Sequence, residues 1–227
     1  MLTRVAEGLH VVAAPQRFLF LELGTRMTVI ELEGGGVALH SPVPFDAHLA
    51  DEVARIGEVR CVIAPNVFHH LHVGPWLAAS PGAVLCAPEG LRKKRPDLRI
   101  DHALRGDGAV PEVLRGTLEG LHINGCALDE TVFLHARSRT VVSSDLTENF
   151  GTSPHLPTKL YLKAAGLEHQ IGWSRLLRVL YRDHAAARRS VEQLLGRDFD
   201  RIVLAHGSVI ERGGKDALRQ TFGFLGL

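Results

Sequence analysis

Residues 66–76 read Asn66-Val67-Phe68-His69-His70-Leu71-His72-Val73-Gly74-Pro75-Trp76 and directly follow the apolar run at residues 59–64. This turn holds three imidazoles within four residues, and histidine is the commonest metal ligand among side chains. Two other apolar runs, residues 140–144 and 201–205, lead to Asp145 and to His206. A strand that ends in such a residue presents its side chain at one edge of the sheet. The sequence therefore predicts one site assembled from three distant segments.

The spacing of the three histidines in this turn predicts which of them face the site. If residues 69–72 begin a helical turn, positions i and i+3 share a face. His69 and His72 then converge on the site, while His70 points elsewhere. The remaining isolated histidines of the chain are interpreted as ordinary surface or core residues. The interpretation favours four site residues: His69, His72, Asp145 and His206.

Composition excludes several classes of protein. The chain has 227 residues, of which 45% are hydrophobic and 22% charged, and its formal net charge is +1. These values are typical of a globular protein with a sizeable core, and they do not indicate a nucleic-acid binder or an anionic-membrane binder. The first apolar run, at residues 9–14, is too short for a signal sequence or a membrane span. Cys61, Cys86 and Cys126 form an odd set without a C-x-x-C spacing, which favours free thiols and a cytoplasmic location.

Strands and helices alternate in both halves of the chain. No linker or change in composition divides it, so we predict one α/β domain of two packed halves over residues 1–227. Asp46 is a candidate N-cap for a helix that Gly57 ends. Strands are predicted at 26–32, 37–40, 59–64, 83–86, 113–118, 131–135, 140–143 and 201–205, helices at 47–56, near 76–77, at 88–95, 173–181, 185–195 and 215–222, and a loop at 146–166.

Taken together, these segments resemble the metallo-β-lactamase superfamily, and most closely a divergent branch known only as a domain of unknown function. The likeness covers most of the chain. It includes the opening hairpin formed by the strands at 26–32 and 37–40, the helix after Asp46, the turn at 65–70, the hairpin at 133–140, Asp145 and the tripeptide 205–207. The resemblance implies a four-layer αββα sandwich, with metals held at the edge between two sheets.

The first motif of that superfamily, His-x-His-x-Asp-His followed by x-Gly, is incomplete in this chain. With the motif aligned on His72 and Gly74, its second His falls on His69 and its last His on His72. Its first His falls on Val67 and its Asp falls on Leu71. Two positions that would be ligands in the superfamily are therefore apolar here.

The later motifs of the superfamily are more complete in this chain than the first. The bridging Asp of the superfamily maps to Asp145 and its final His to His206, whereas a third His position falls near Cys126. His72, Asp145 and His206 would then form a three-ligand site, the pattern of a catalytic zinc with an open coordination position. His69 would be a further ligand. Candidates for additional ligands are His70, His135 and Cys126, with His122 as an alternative to Cys126.

The resemblance implies a metal-dependent hydrolase that uses metal-bound hydroxide on a small-molecule ester, thioester, lactone or phosphoester. Zinc is the expected metal, and iron or manganese also suits N/O ligands. Arg137 and Arg139, on a tight turn, are candidates for binding an anionic substrate, and a solvated turn is the alternative. Because Leu71 replaces the motif's Asp, a catalytically inactive binding module with a metal-free polar cluster is the alternative function.

Overall fold

The structure is a computed structural model and describes residues 1–105 and 108–227. The first half of the chain is a succession of strands, followed by strands that alternate with helices. Its elements are β1 (Thr3–Ala6), β2 (Leu9–Ala14), β3 (Arg17–Phe18), β4 (Leu21–Glu22), β5 (Thr25–Glu31), β6 (Val37–His40), α1 (Ala47–Ile56), β7 (Val59–Ile63), α2 (Val73–Ala79), β8 (Val84–Pro88), α3 (Leu91–Lys94) and β9 (His102–Leu104).

The second half begins with a hairpin and ends in a parallel strand and two long helices. Its strands and α-helices are β10 (Glu119–His122), β11 (Thr131–His135), β12 (Thr140–Val142), β13 (Glu148–Asn149), α4 (Leu156–Ala165), β14 (Ile171–Gly172), α5 (His184–Leu195), β15 (Arg201–Val203) and α6 (Gly214–Phe222). Single 3₁₀ segments lie at Glu112–Leu114, Ala136–Ser138, Arg175–Leu180 and Gly223–Leu225. None of the helices in the described part of the chain has the length and apolarity needed to cross a bilayer.

Two sheets form the centre of the molecule. The larger has seven strands in the order β1-β2-β5-β6-β7-β8-β9, and the smaller has four in the order β10-β11-β12-β15. Strands β6 to β9 run parallel, and so do β12 and β15. Parallel neighbours end at the same edge of a sheet, so the residues that follow β12 and β15 lie side by side.

Apolar side chains fill three layers. Residues of both sheets, including Ile63 and Phe133, form the layer between the sheets. Trp76 of α2 belongs to a second layer that covers the outer face of the larger sheet, and Leu218 of α6 belongs to a third on the smaller sheet. Helices therefore cover both outer faces, which confirms the αββα sandwich.

Most predicted elements are present, including the opening hairpin and α1, whose N-cap Asp46 accepts a hydrogen bond from the backbone N–H of Leu49. The strand predicted at 113–118 is wrong. That segment is coiled locally, since the N–H of Leu118 donates to the carbonyl of Leu114. Both leucines point into the core between the sheets, so their apolar spacing is that of a compact turn.

The loop predicted at 146–166 is also wrong, because it contains α4. This helix buries Thr158, Leu162 and Ala165, and it leaves Leu156 and Leu160 exposed. The apolar periodicity from which a helix is predicted is weak here, because Leu156 and Leu160 face solvent and the small residue Ala165 faces the core. The helix predicted at 173–181 is a 3₁₀ segment, Arg175–Leu180.

Candidate metal centre

Three of the predicted ligands converge. One potential ligand atom from each of His69, Asp145 and His206 lies within 4.8 Å of the others. The Oδ1 atom of Asp145 is 3.2 Å from the Nε2 atom of His69 and 3.2 Å from that of His206. The three side chains are 10%, 16% and 12% exposed, respectively. They form a largely buried cluster.

The far nitrogen atom of each imidazole has a fixed partner. His69 Nδ1 lies 2.7 Å from Ser41 Oγ, and His206 Nδ1 donates to the carbonyl oxygen of Gly24 at 2.8 Å. Ser41 follows β6 directly and has a φ of 55°, a backbone conformation that is uncommon outside glycine. Partners of this kind set the ring orientation of metal-binding histidines. Both Nε2 atoms are thereby turned toward Asp145.

Asn66 connects the histidine turn to Asp145. Its amide nitrogen donates to Asp145 Oδ2 at 2.7 Å, and its side-chain oxygen accepts the backbone N–H groups of Phe68 and His69 at 2.8 and 2.9 Å. The side chain is fully buried. The sequence predicts no site role for Asn66, although an Asn that bonds the backbone two residues ahead is typical of a turn.

Glu130 holds the other side of Asp145. Its carboxylate accepts the backbone N–H of Ser144 at 2.8 Å and that of Asp145 at 3.1 Å. Burial raises the pKa of Glu130 to about 7, and the negative charge of Asp145 acts in the same direction. Glu130 immediately precedes β11 and has no apolar run before it, so nothing in the sequence distinguished it from a surface carboxylate.

Opposing effects set the charges of the cluster. Burial raises the pKa of Asp145, but the charge of His69 and hydrogen bonds from both imidazoles hold it well below its usual range. Burial lowers the pKa of His206, but the hydrogen bond to Asp145 and the charge of Asp145 raise it above the ordinary value. The contact with Asp145 therefore favours the protonated form of His206, in which Nδ1 faces Gly24 and Nε2 faces Asp145.

The donor set fits a divalent metal. Two imidazole nitrogens and a carboxylate oxygen are ligands that zinc accepts, with a fourth position left open. Ligand imidazoles must present an unprotonated nitrogen. His206 meets this requirement by losing its Nε2 proton while Nδ1 keeps its bond to Gly24. His69 meets it by carrying its proton on Nδ1, beside Ser41.

His72 does not join this group, and this corrects the predicted ligand set. Residues 69–72 do not form an α-helical turn, because α2 begins only at Val73 and the residues before it form a hydrogen-bonded turn. His72 Nε2 lies 3.3 Å from Gln16 Oε1. Burial lowers the pKa of His72, and the charge of His69 adds to the effect. His72 is therefore a neutral imidazole at neutral pH.

Further predicted ligands are also absent from the group of ligand atoms that lie within 4.8 Å of one another. His70 is buried with its Nδ1 atom 3.1 Å from the guanidinium of Arg95. His122 Nε2 faces Asp129 Oδ1 at 3.3 Å. Burial raises the pKa of the Cys126 thiol to about 11, and its Sγ atom is not part of the converging group. The cluster takes no ligand from these three side chains.

The predicted ligand His135 and the predicted anion-binding arginines lie at the wrong end of the smaller sheet. His135 ends β11, which runs antiparallel to β12, so it lies opposite Thr140 at the start of β12. Asp145 follows the other end of that strand. Arg137 and Arg139 form exposed ion pairs with Glu7 and Asp198. The alternative interpretation, a solvated turn, is correct.

Exposed apolar side chains lie on the histidine turn and on the β3–β4 hairpin. Phe18 of the hairpin and Phe68 of the turn make an edge-to-face contact with ring centroids 6.4 Å apart. Phe18, Phe68 and Leu71 are 53%, 41% and 55% exposed. We call these three residues the apolar rim. The hairpin also supplies Gln16, the partner of His72.

Comparison with known proteins supports the fold and leaves the chemistry open. No protein-family model and no curated protein matches the chain. A solved metallo-β-lactamase from Erythrobacter litoralis superposes with a TM-score of 0.71 at 14% identity, over 99% of this chain and 95% of its own. The chain has the metallo-β-lactamase fold. A mono-zinc metallo-β-lactamase from Pseudomonas aeruginosa gives 0.67 at 14% identity, over 99% and 95%.

A flavodiiron protein core is also structurally similar to this chain. The metal-soaked flavodiiron core of Flv1 from Synechocystis superposes with a TM-score of 0.66 at 13% identity, over 99% of this chain and 60% of that one. Because one fold supports different chemistries, function has to be argued from the cluster of His69, Asp145 and His206 and its surroundings.

Proposed function

We propose that this protein is a metal-dependent hydrolase of small esters, thioesters or lactones, with phosphoesters as a further substrate class. His69, Asp145 and His206 would hold the metal. The observation that carries this proposal is the convergence of their ligand atoms within 4.8 Å. Zinc is the favoured metal because it accepts three N/O ligands with a fourth position open, and iron or manganese also suits this donor set.

A bound divalent metal supplies Lewis acidity, which lowers the pKa of water toward 7 and polarises a carbonyl or phosphoryl oxygen. The protein contributes a fixed set of ligands. Asn66 and Glu130 hold Asp145 through its side chain and its backbone, respectively. His72, neutral because of its lowered pKa, is a candidate proton acceptor in the same turn. Such a base contributes to hydrolysis when its pKa lies near the working pH.

The apolar rim favours substrates with an apolar part. Phe18, Phe68 and Leu71 leave apolar surface open to solvent beside the histidine turn. Burying such surface against an alkyl or aryl group would stabilise a complex by about 25 cal/mol per Å². Since Arg137 and Arg139 lie at the opposite end of β12, they do not select an anionic substrate. Esters, thioesters and lactones with apolar acyl groups are therefore favoured over phosphoesters.

A catalytically inactive binding module is the second candidate function. It is supported by the contacts within the cluster, because Asp145 Oδ1 lies 3.2 Å from the Nε2 atom of each imidazole and could serve as their polar partner. Buried polar groups require partners, and here they have them. In this case the surface formed by the apolar rim and the cluster would bind a small molecule without cleaving it.

Free cysteines and net charge bear on where the protein works and what it binds. Cys61 Sγ and Cys86 Sγ are 3.3 Å apart and buried, yet both are free thiols. Free thiols at this distance favour a reducing compartment, so we propose a cytoplasmic protein. The formal net charge of +1 favours a small-molecule substrate over nucleic acid or an anionic membrane.

Metal content and turnover, measured together, distinguish the two functions. Protein purified without an affinity tag, incubated with zinc and dialysed, should retain about one metal per chain. His206→Ala should lose the metal and all turnover of any hit from an ester, thioester, lactone and phosphoester panel. His184→Ala, an exposed histidine on α5, serves as the control. Less than about 0.1 metal per chain in the wild type, with no hydrolysis under zinc, iron or manganese, would favour the binding module.

A further inference from the structure

A cavity lies outside the metal centre. It has a volume of about 410 Å³ and is bordered by the end of α4, the β14 segment, the 3₁₀ segment Arg175–Leu180 and α6. Its lining includes three cations, Lys163, Arg175 and Arg178, and one carboxylate, Glu168. We call it the arginine pocket. The metal ligands do not line it.

The cations of the arginine pocket lack carboxylate partners. Eleven arginines elsewhere form ion pairs, among them Arg188 with Glu192. Within residues 1–105 and 108–227, Lys163, Arg175 and Arg178 form none. An array of three cations with one acid attracts anions, and a concave surface strengthens this field.

The two guanidinium groups are held in place by packing. Arg178 lies over the ring of Phe224 at 4.6 Å from the centroid, and its Nε atom is buried without a hydrogen-bond partner. Arg175 packs against Gly166, which ends α4 with a φ of 73°. A Cβ atom at Gly166 would lie 2.6 Å from Arg175 Nε. The guanidinium therefore occupies space that only glycine leaves free.

We propose that the arginine pocket binds a small molecule that carries a phosphate or diphosphate group. Planar guanidinium forks match phosphate oxygens with paired, charge-assisted hydrogen bonds, and Arg178 has an unused buried donor. A volume of about 410 Å³ is within the range for small-molecule sites. The pocket is separate from the proposed hydrolytic site, and the proposal does not depend on that function.

Trp173 makes the pocket accessible to a direct measurement. It lines the cavity, and its indole N–H donates to the backbone carbonyl of Asp145 at 2.5 Å. The other tryptophan, Trp76, is buried against the larger sheet. In a Trp76→Phe background, the emission comes from Trp173, which lines the arginine pocket and also contacts Asp145, so a variant at the metal centre is needed to assign the response to the pocket.

The experiment is a titration of this metal-free variant with inorganic pyrophosphate at constant ionic strength. We expect a saturable change in emission, and in Arg175→Gln/Arg178→Gln the affinity should fall by at least about tenfold. Arg55→Gln/Arg189→Gln, which removes two exposed cations that form no ion pair with any residue the structure describes, should bind within about twofold of the parent. His206→Ala should also bind normally.

Three results would overturn the proposal. The first is the absence of a saturable response in the parent protein. The second is equal weakening by the two double variants, which would mean that pyrophosphate senses only net charge. The third is loss of binding in His206→Ala, which would place pyrophosphate at the metal centre. Urea unfolding of each variant checks that a loss of binding is not a loss of fold.

Discussion

Asn66→Ala is the most informative single change in this protein, because Asn66 joins the histidine turn to Asp145. The substitution removes the donor to Asp145 Oδ2 and the acceptor of two backbone N–H groups, those of Phe68 and His69. Since the residue is fully buried, water does not readily replace these bonds. The change should lower both the stability of the fold and the affinity for metal.

The magnitude follows from the bonds that are lost. A hydrogen bond to a charged group contributes about 1.5–3 kcal/mol, and each donor left without a partner costs about 1–3 kcal/mol when buried. The N–H groups of Phe68 and His69 are only partly buried, and neighbouring losses are not additive. We therefore expect the free energy of unfolding to fall by about 3–5 kcal/mol. Loss of a group that orients a ligand should weaken metal binding by about 10–100-fold.

Urea unfolding in the presence of a chelator measures the stability term, and competition with a chromophoric zinc chelator measures the affinity. Asn66→Asp separates the two roles, because its carboxylate keeps the acceptor for the turn but places a negative charge beside Asp145. Asn124→Ala, which removes an exposed amide, is the control and should cost less than about 1 kcal/mol. A loss below about 1 kcal/mol in Asn66→Ala, with unchanged zinc affinity, would refute the assigned role of Asn66.

Three further predictions concern charge. Burial raises the pKa of Glu148 to about 7 from 4.5, so the folded protein loses stability as pH rises through that range. The free energy of unfolding of Glu148→Gln should therefore rise by on the order of 1–3 kcal/mol relative to that of wild type between pH 5 and pH 8. If chemical unfolding shows the same difference between variant and wild type at both pH values, this prediction is wrong. Zinc must displace one proton from His206, whose pKa is raised, so zinc affinity should fall about tenfold per pH unit below that pKa. Calorimetry of zinc binding that finds no proton release would exclude this exchange of a proton for zinc at His206. Arg137→Ala and Arg139→Ala should each leave zinc affinity and turnover within about twofold of wild type, since both arginines form exposed ion pairs. A large loss in kcat/KM would show that these arginines contribute to substrate binding.

The interior of the cluster could not be predicted from the sequence, for a physical reason. The partners of the ligands are far away along the chain: Asn66 and Asp145 are 79 positions apart, and His206 and Gly24 are 182 apart. Glu130 acts on Asp145 only because β11 and β12 pair. Local periodicity contains no information about such pairings, so Asn66, Glu130 and Ser41 were not assigned roles.

The sequence alone determined that apolar strands lead to His69, Asp145 and His206, because strand periodicity and the residue that ends a strand are local properties. It also determined α1 and its cap at Asp46, whose partner is three residues away. Only the tertiary structure decided that His69 and not His72 joins the cluster, since the turn at residues 66–72 is set by contacts of Asn66 rather than by helical spacing. Strand direction, a property of the assembled sheet, decided that Arg137 and Arg139 lie at the far end of β12.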